Sequence, residues 1–169
     1  MADKHTIKDL LTDEIKDLYS AEKQLTKALP KMLQGSNDPA LKEAFAAHLK
    51  ETQAQVTRLE EAGELLGIKV TGKKCVGMEG CVREGAEALA QQGQDAVLDL
   101  GIIGAGSRVE HYEIAGYMTA ISLAKRLGAS DVADLLQQSL SEEEAAEKKL
   151  RQIASGLIRT SATEAARAA

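Results

Sequence analysis

Residues 107–117 read SRVEHYEIAGY and place Glu110, His111 and Glu113 among small and apolar neighbours in a helical pattern. Carboxylates three residues apart share a helix face, with Cβ atoms ~5–6 Å apart. Such a pair can chelate one cation or span two. The same interruption recurs in three other apolar stripes with helical spacing. Glu22 falls between Leu18 and Leu25. His48 follows Phe45, with Glu51 or Thr52 and then Gln55 after it. Glu143 and Glu147 fall between Leu140 and Leu150.

For any one of these acids, the simpler expectation is a side chain that snorkels to water. Four interruptions at similar depth argue for convergence. An unpaired buried carboxylate costs several kcal/mol or changes its pKa. No Lys or Arg shares these stripes at that depth, so bound cations are the natural counter-charge. The candidate ligands are Glu22, His48, Glu51, Glu110, Glu113, Glu143 and Glu147. Oxygen donors with one imidazole suit iron or manganese better than zinc or copper(I). Bundle sites of this kind take single Glu residues from two helices and Glu-x-x-His pairs from the other two. The expected cofactor is therefore two metal ions, iron ahead of manganese.

Four long helices must position these groups. Thr6, with Asp9 three residues on, predicts a capped start for a first helix reaching about Leu33. Asp38 and Pro39 predict the start of a second, running to Gly67. A third spans about 95–126, and a fourth follows Ser130 to about Ile158. The connections are short, long and short. The long one, 68–94, holds a short helix within MEGCVREGAEALAQQ. One long crossover predicts an all-α, ferritin-like four-helix bundle. Residues 1–160 are expected to form a single domain and 161–169 a frayed tail. The role of KKCVGMEG is open between a dimer contact and a plain connecting loop.

Composition narrows the function classes. The chain has 169 residues, a net charge of −5, no Trp and one Phe. That argues against a general nucleic-acid or anionic-membrane binder. No apolar run is long enough for a membrane span, and no secretory h-region is present. Cys75 and Cys81 match no zinc spacing and read as reduced thiols in a cytoplasmic protein.

LYSAEKQLTKAL, HLKETQAQVTRLE, KKCVGMEG, RVEHYEIAGYMT and LLQQSLSEEEAAEKKL together resemble the YciE/YciF family of ferritin-like bacterial proteins. The resemblance covers about residues 5–157. It implies a ferritin-like core with an extra short helix in the crossover, a homodimer, a stress association and a dinuclear iron site. Two departures from the wider ferritin-like pattern bear on the ligands. His48-x-x-Glu51 inverts the usual order, and the last helix offers Glu143 and Glu147 without a His. His111 lies about 100° round the helix from Glu110 and is expected not to bind. Tyr19 and Tyr117 are expected as core tyrosines, with a hydrogen bond to a carboxylate as the alternative.

Three functions compete. A redox centre would react iron with dioxygen or peroxide, in a ferroxidase- or peroxidase-like way, with a manganese catalase-like variant. A structural or interaction module of the stress response would use the ion to hold the bundle or carry a vestigial site. A cage-forming iron store comes third.

Overall fold

A computed structural model describes residues 6–93 and 95–168, with side chains described to residue 160. The elements are α1 (Ile7–Gly35), α2 (Pro39–Leu66), α3 (Val76–Leu89), α4 (Asp95–Arg126) and α5 (Ser130–Ala168). Local chemistry sets their ends. The Thr6 hydroxyl accepts from the Asp9 amide at 3.1 Å, and the Asp9 carboxylate accepts from the Thr6 amide at 2.9 Å. Asp38 accepts from the Leu41 amide at 3.0 Å, with Pro39 in the first turn of α2. Gly67 closes α2 at φ 65°, a left-handed conformation that suits glycine.

Two expected boundaries differ. The backbone of α5 stays helical through Ala168, past Ile158 and through the segment expected to fray. ATEAAR contains strong helix formers and neither Gly nor Pro to stop it. Residue 169 lies outside the described residues. The crossover helix begins at Val76, earlier than expected, because the Cys75 thiol accepts from the Met78 amide and caps it.

Packing runs in a ring: α1 against α2, α2 against α5, α5 against α4, and α4 against α1. The α3 helix lies outside, on α1 and α4. Asp99, near the start of α4, accepts from the Asn37 and Asp38 amides at 2.8 and 2.7 Å. So α4 begins at the same end as α2, and the crossover returns the length of the bundle. This is the ferritin-like arrangement. Among the described residues, no helix is long and apolar enough to cross a membrane.

Asp99 is 1% exposed, and its carboxylate satisfies donors at the start of α2. Asp99→Ala removes charged hydrogen bonds and leaves the Asn37 and Asp38 amides without their buried acceptor. It is expected to destabilise the fold by about 2–3 kcal/mol, read from the urea midpoint.

KKCVGMEG fastens the crossover. Lys73 reaches Asp13 at 2.6 Å and Asp17 at 3.2 Å on α1. The Cys75 amide donates to Ser20 Oγ at 2.8 Å, and Gln24 donates to the Cys75 carbonyl at 2.9 Å. Tyr112 of α4 donates to Asp17 at 2.9 Å and lies 3.0 Å from the Cys75 sulfur. A Cβ at Gly77 would sit 2.4 Å from the Tyr112 ring, so glycine there admits the ring.

Among the described residues the core falls into two apolar clusters. One gathers Leu11, Ile15, Leu18, Leu59, Ile121 and Leu136. The other gathers Leu25, Leu29, Phe45, Met78, Ile103 and Leu150. Between Leu18 and Leu25 on α1 lies Glu22, and the polar layer described next lies at that level.

Candidate metal centre

Each helix of the ring sends a polar group inward at mid-length. Glu22, Glu113 and Glu143 are 0% exposed, Glu110 is 1% and His48 is 3%. One ligand atom from each of His48, Glu110, Glu113 and Glu143 lies within 4.8 Å of the others. His48 Nε2 is 3.3 Å from Glu110 and 3.5 Å from Glu143. It makes no aligned hydrogen bond with either, so these are charge contacts at close range.

Hydrogen bonds from behind hold the carboxylates. Tyr117 donates to Glu22 Oε1 at 2.5 Å. Gln55 donates to Glu143 Oε1 at 2.5 Å and to Glu142 at 3.0 Å. Arg58 grips both oxygens of Glu142 at 2.7 and 2.5 Å. Yet, among the described residues, Glu22 Oε2, His48 Nε2, Glu110 Oε2, Glu143 Oε2 and both Glu113 oxygens are buried without a hydrogen-bond partner. Buried polar atoms are normally satisfied, and the exceptions call for an explanation.

The electrostatics show how the cluster is tolerated without an ion. Burial pushes the Glu22 carboxyl up from 4.5 to about 8, against the hydrogen bond from Tyr117. Burial, then the charges of Glu22, Glu143 and Glu110, hold Glu113 well above the ordinary value. Burial also holds Glu143 well up, although the positive charge of His48 opposes it. Burial acts to raise Glu110 too, but the positive charge of His48 close by outweighs it and brings its pKa down. Burial disfavours His48 as a cation, but Glu110, Glu51 and Glu143 together raise it. Protons therefore stand where positive charge is needed.

The donor set fits a hard or borderline cation. Four carboxylates and one imidazole with orphaned, mutually facing atoms match oxygen-rich sites for iron or manganese. His48, Glu110, Glu113 and Glu143 can hold one ion. Glu22 is buried at 0% exposure on α1 and is not among those four.

Two residues expected as ligands lie elsewhere. Glu51 is 41% exposed in its side chain and contacts His48 Nδ1 at 3.2 Å, on the far side of the ring from the cluster. It sits where a carboxylate orients a ligating histidine. Glu147 pairs with Arg151 at 3.1 Å, one turn further along α5, and stays outside the cluster. His111 is exposed and contacts the Ser107 carbonyl at 2.8 Å. Tyr19 donates to Glu60 at 2.9 Å, away from the acids. Gln55 was visible on the buried stripe of α2, but its link to Glu143 and Glu142 crosses between helices and has no mark in the sequence.

An antiparallel helical ring with inward acids and a histidine defines a ferritin-like bundle with a candidate metal centre. The chain belongs to the family described as Domain of unknown function (DUF892), which matches residues 6–163. It is 41% identical over 150 residues to protein YciF of Escherichia coli strain K12, covering 88% of this chain and 90% of that protein. The crystal structure of the E. coli stress protein YciF matches with a TM-score of 0.89 at 39% identity, over 92% of this chain and 99% of that one. YcfI of Rhodopseudomonas palustris, suggested to be a structural protein, matches with a TM-score of 0.85 at 40% identity, over 89% and 96%. A Xanthomonas campestris protein shares the fold at 20% identity, with a TM-score of 0.73 over 94% and 98%.

Proposed function

We propose that the chain is a dinuclear metal-binding oxidoreductase of the cytoplasm that reacts iron with dioxygen or peroxide in stress protection. The observation that carries this reading is the set of orphaned carboxylate and imidazole atoms converging from four helices. When bound, iron would supply one-electron steps from each of two ions. The chain's own residues prepare for that chemistry. Glu110, Glu113, Glu143 and Glu22 favour high positive charge. Glu51 on Nδ1 presents His48 Nε2 to the cluster. Tyr117 and Gln55 fix one oxygen each of Glu22 and Glu143, leaving the other oxygen facing inward. The two apolar clusters cover the centre toward either end of the bundle. The stress role draws on the E. coli relative, which is called a stress protein. The two free thiols, Cys75 and Cys81, accord with a reducing compartment.

The alternative is a module in which an ion only holds the bundle, favoured by the structural role suggested for YcfI. Stopped-flow oxidation of iron(II) separates the two. The wild type is expected to oxidise two iron(II) per chain faster than buffer does, and Glu110→Ala/Glu143→Ala to fall back to the buffer rate. Equal rates for wild type and buffer, with metal still bound, would leave the structural reading standing.

A further inference from the structure

The cluster is closed to solvent on most sides, and the little exposure it has belongs to His48 and Glu110. Both residues form part of the lining of an open cavity of about 280 Å³ between α2 and α5. Apart from these two, its wall is mainly hydrocarbon: Ala44, Phe45, Ala47, Ala145, Ala146 and Leu150. Glu43, Glu51 and Lys149 supply its remaining polar groups.

Size and chemistry restrict the occupant. An apolar cavity of ~150 Å³ can hold benzene, so this alcove has room for a phenyl or short alkyl group with a polar end. Hydrogen peroxide and dioxygen are far smaller, and hydrogen peroxide gains nothing from an apolar wall. Three carboxylates, Glu43, Glu51 and Glu110, against one lysine and His48 disfavour a carboxylate-bearing lipid. A neutral molecule with a hydrocarbon body, its polar end toward His48 and Glu110, fits both the wall and the charge.

We propose that this alcove binds the hydrocarbon body of an organic hydroperoxide, making an alkyl or aryl hydroperoxide the preferred oxidant of the centre. The inference rests on the redox reading above and names its substrate class. The step balances with iron(II) as reductant. One hydroperoxide, two iron(II) and two protons give one alcohol, one water and two iron(III). The O–O bond breaks, each iron loses one electron, and each separated oxygen gains a proton.

Two measurements test it. In the metal-free protein, cumyl alcohol, the unreactive alcohol product of cumene hydroperoxide, is expected to shift the methyl resonances of Ala44, Ala47, Ala145 and Ala146. In the iron(II)-loaded protein, Ala47→Phe and Ala146→Phe fill the alcove from opposite walls. Each is expected to slow oxidation by cumene hydroperoxide about tenfold or more while changing oxidation by hydrogen peroxide less than about twofold. Agreement between the two variants guards against misfolding of either. An equal fall with both peroxides, or no fall, overturns the inference and leaves the redox function standing. So do methyl shifts that follow protein concentration instead of the alcohol, because a second copy would then cover the face. Absence of iron oxidation with either peroxide overturns the redox function and this inference together.

Discussion

Stripped of metal, the protein is expected to lose thermal stability as the pH rises from about 5 to about 8, and manganese(II) is expected to restore it. The sign follows from the acids. A carboxyl whose folded pKa is raised contributes stability that is complete below its unfolded value and lost as pH climbs through the folded value. For Glu22 that window runs from 4.5 to about 8. Glu113 and Glu143 are raised as well and act in the same direction. His48, also raised, loses its contribution as pH climbs through its folded value. Glu110 is lowered, so its contribution is lost only toward acid, below this window. A bound ion reverses the dependence by favouring the ionised acids and the neutral imidazole. The gap in Tm between loaded and stripped protein is therefore expected to widen with pH. At a few kcal/mol it reaches roughly 10 °C for a chain of this size. Scanning calorimetry across that range measures it, and a gap that stays flat or narrows would contradict a cation site built from these residues.

Glu113→Met is expected to make the metal-free protein more stable and the metal-bound state harder to reach. Both oxygens of Glu113 are buried without a partner, and the residue is 0% exposed. Its raised pKa keeps the carboxyl neutral, but its unpartnered polar atoms still cost about 1–3 kcal/mol of desolvation, which an apolar side chain of similar size relieves. Methionine is unbranched and adapts to irregular space. Opposite shifts are expected in two readings: a higher urea midpoint for the stripped variant and a loss of most manganese-dependent stabilisation. A structural carboxylate would behave otherwise, with the stripped variant less stable and its response to manganese unchanged. A protein that holds a destabilising acid at its centre trades stability for a binding site.

The fold was largely legible because its signals are local. Thr6 with Asp9, Asp38 with Pro39, and Gly67 mark helix ends within a few residues of chain, and connection length separates hairpin from crossover. The inward acids showed themselves by interrupting apolar stripes, and Glu22, Glu110, Glu113 and Glu143 are all buried at one level. Glu51 and Glu147 mark the limit of that method. A spacing of three or four residues leaves a helix rotation undecided, and here Thr52 and Gln55 take the buried side of α2 while Glu51 faces outward. Arg151, one turn beyond Glu147, draws that carboxylate aside. Asp99, Gln55 and the Cys75–Tyr112 contact are made between helices distant in sequence, and no periodicity encodes them.

The buried ionisable groups are divided between two halves of the chain: Glu22 and His48 on the α1–α2 hairpin, and Glu110, Glu113 and Glu143 on the α4–α5 hairpin. Each hairpin has short connections and can form early from local contacts. Neither half carries the whole centre, so the carboxylates leave water only when the halves meet. The encounter is then expected to be the slow event at neutral pH, with like charges opposing it, and stopped-flow refolding with and without manganese(II) checks it. A divalent ion captured by one hairpin would lower that barrier and speed folding, beyond any effect on the finished structure.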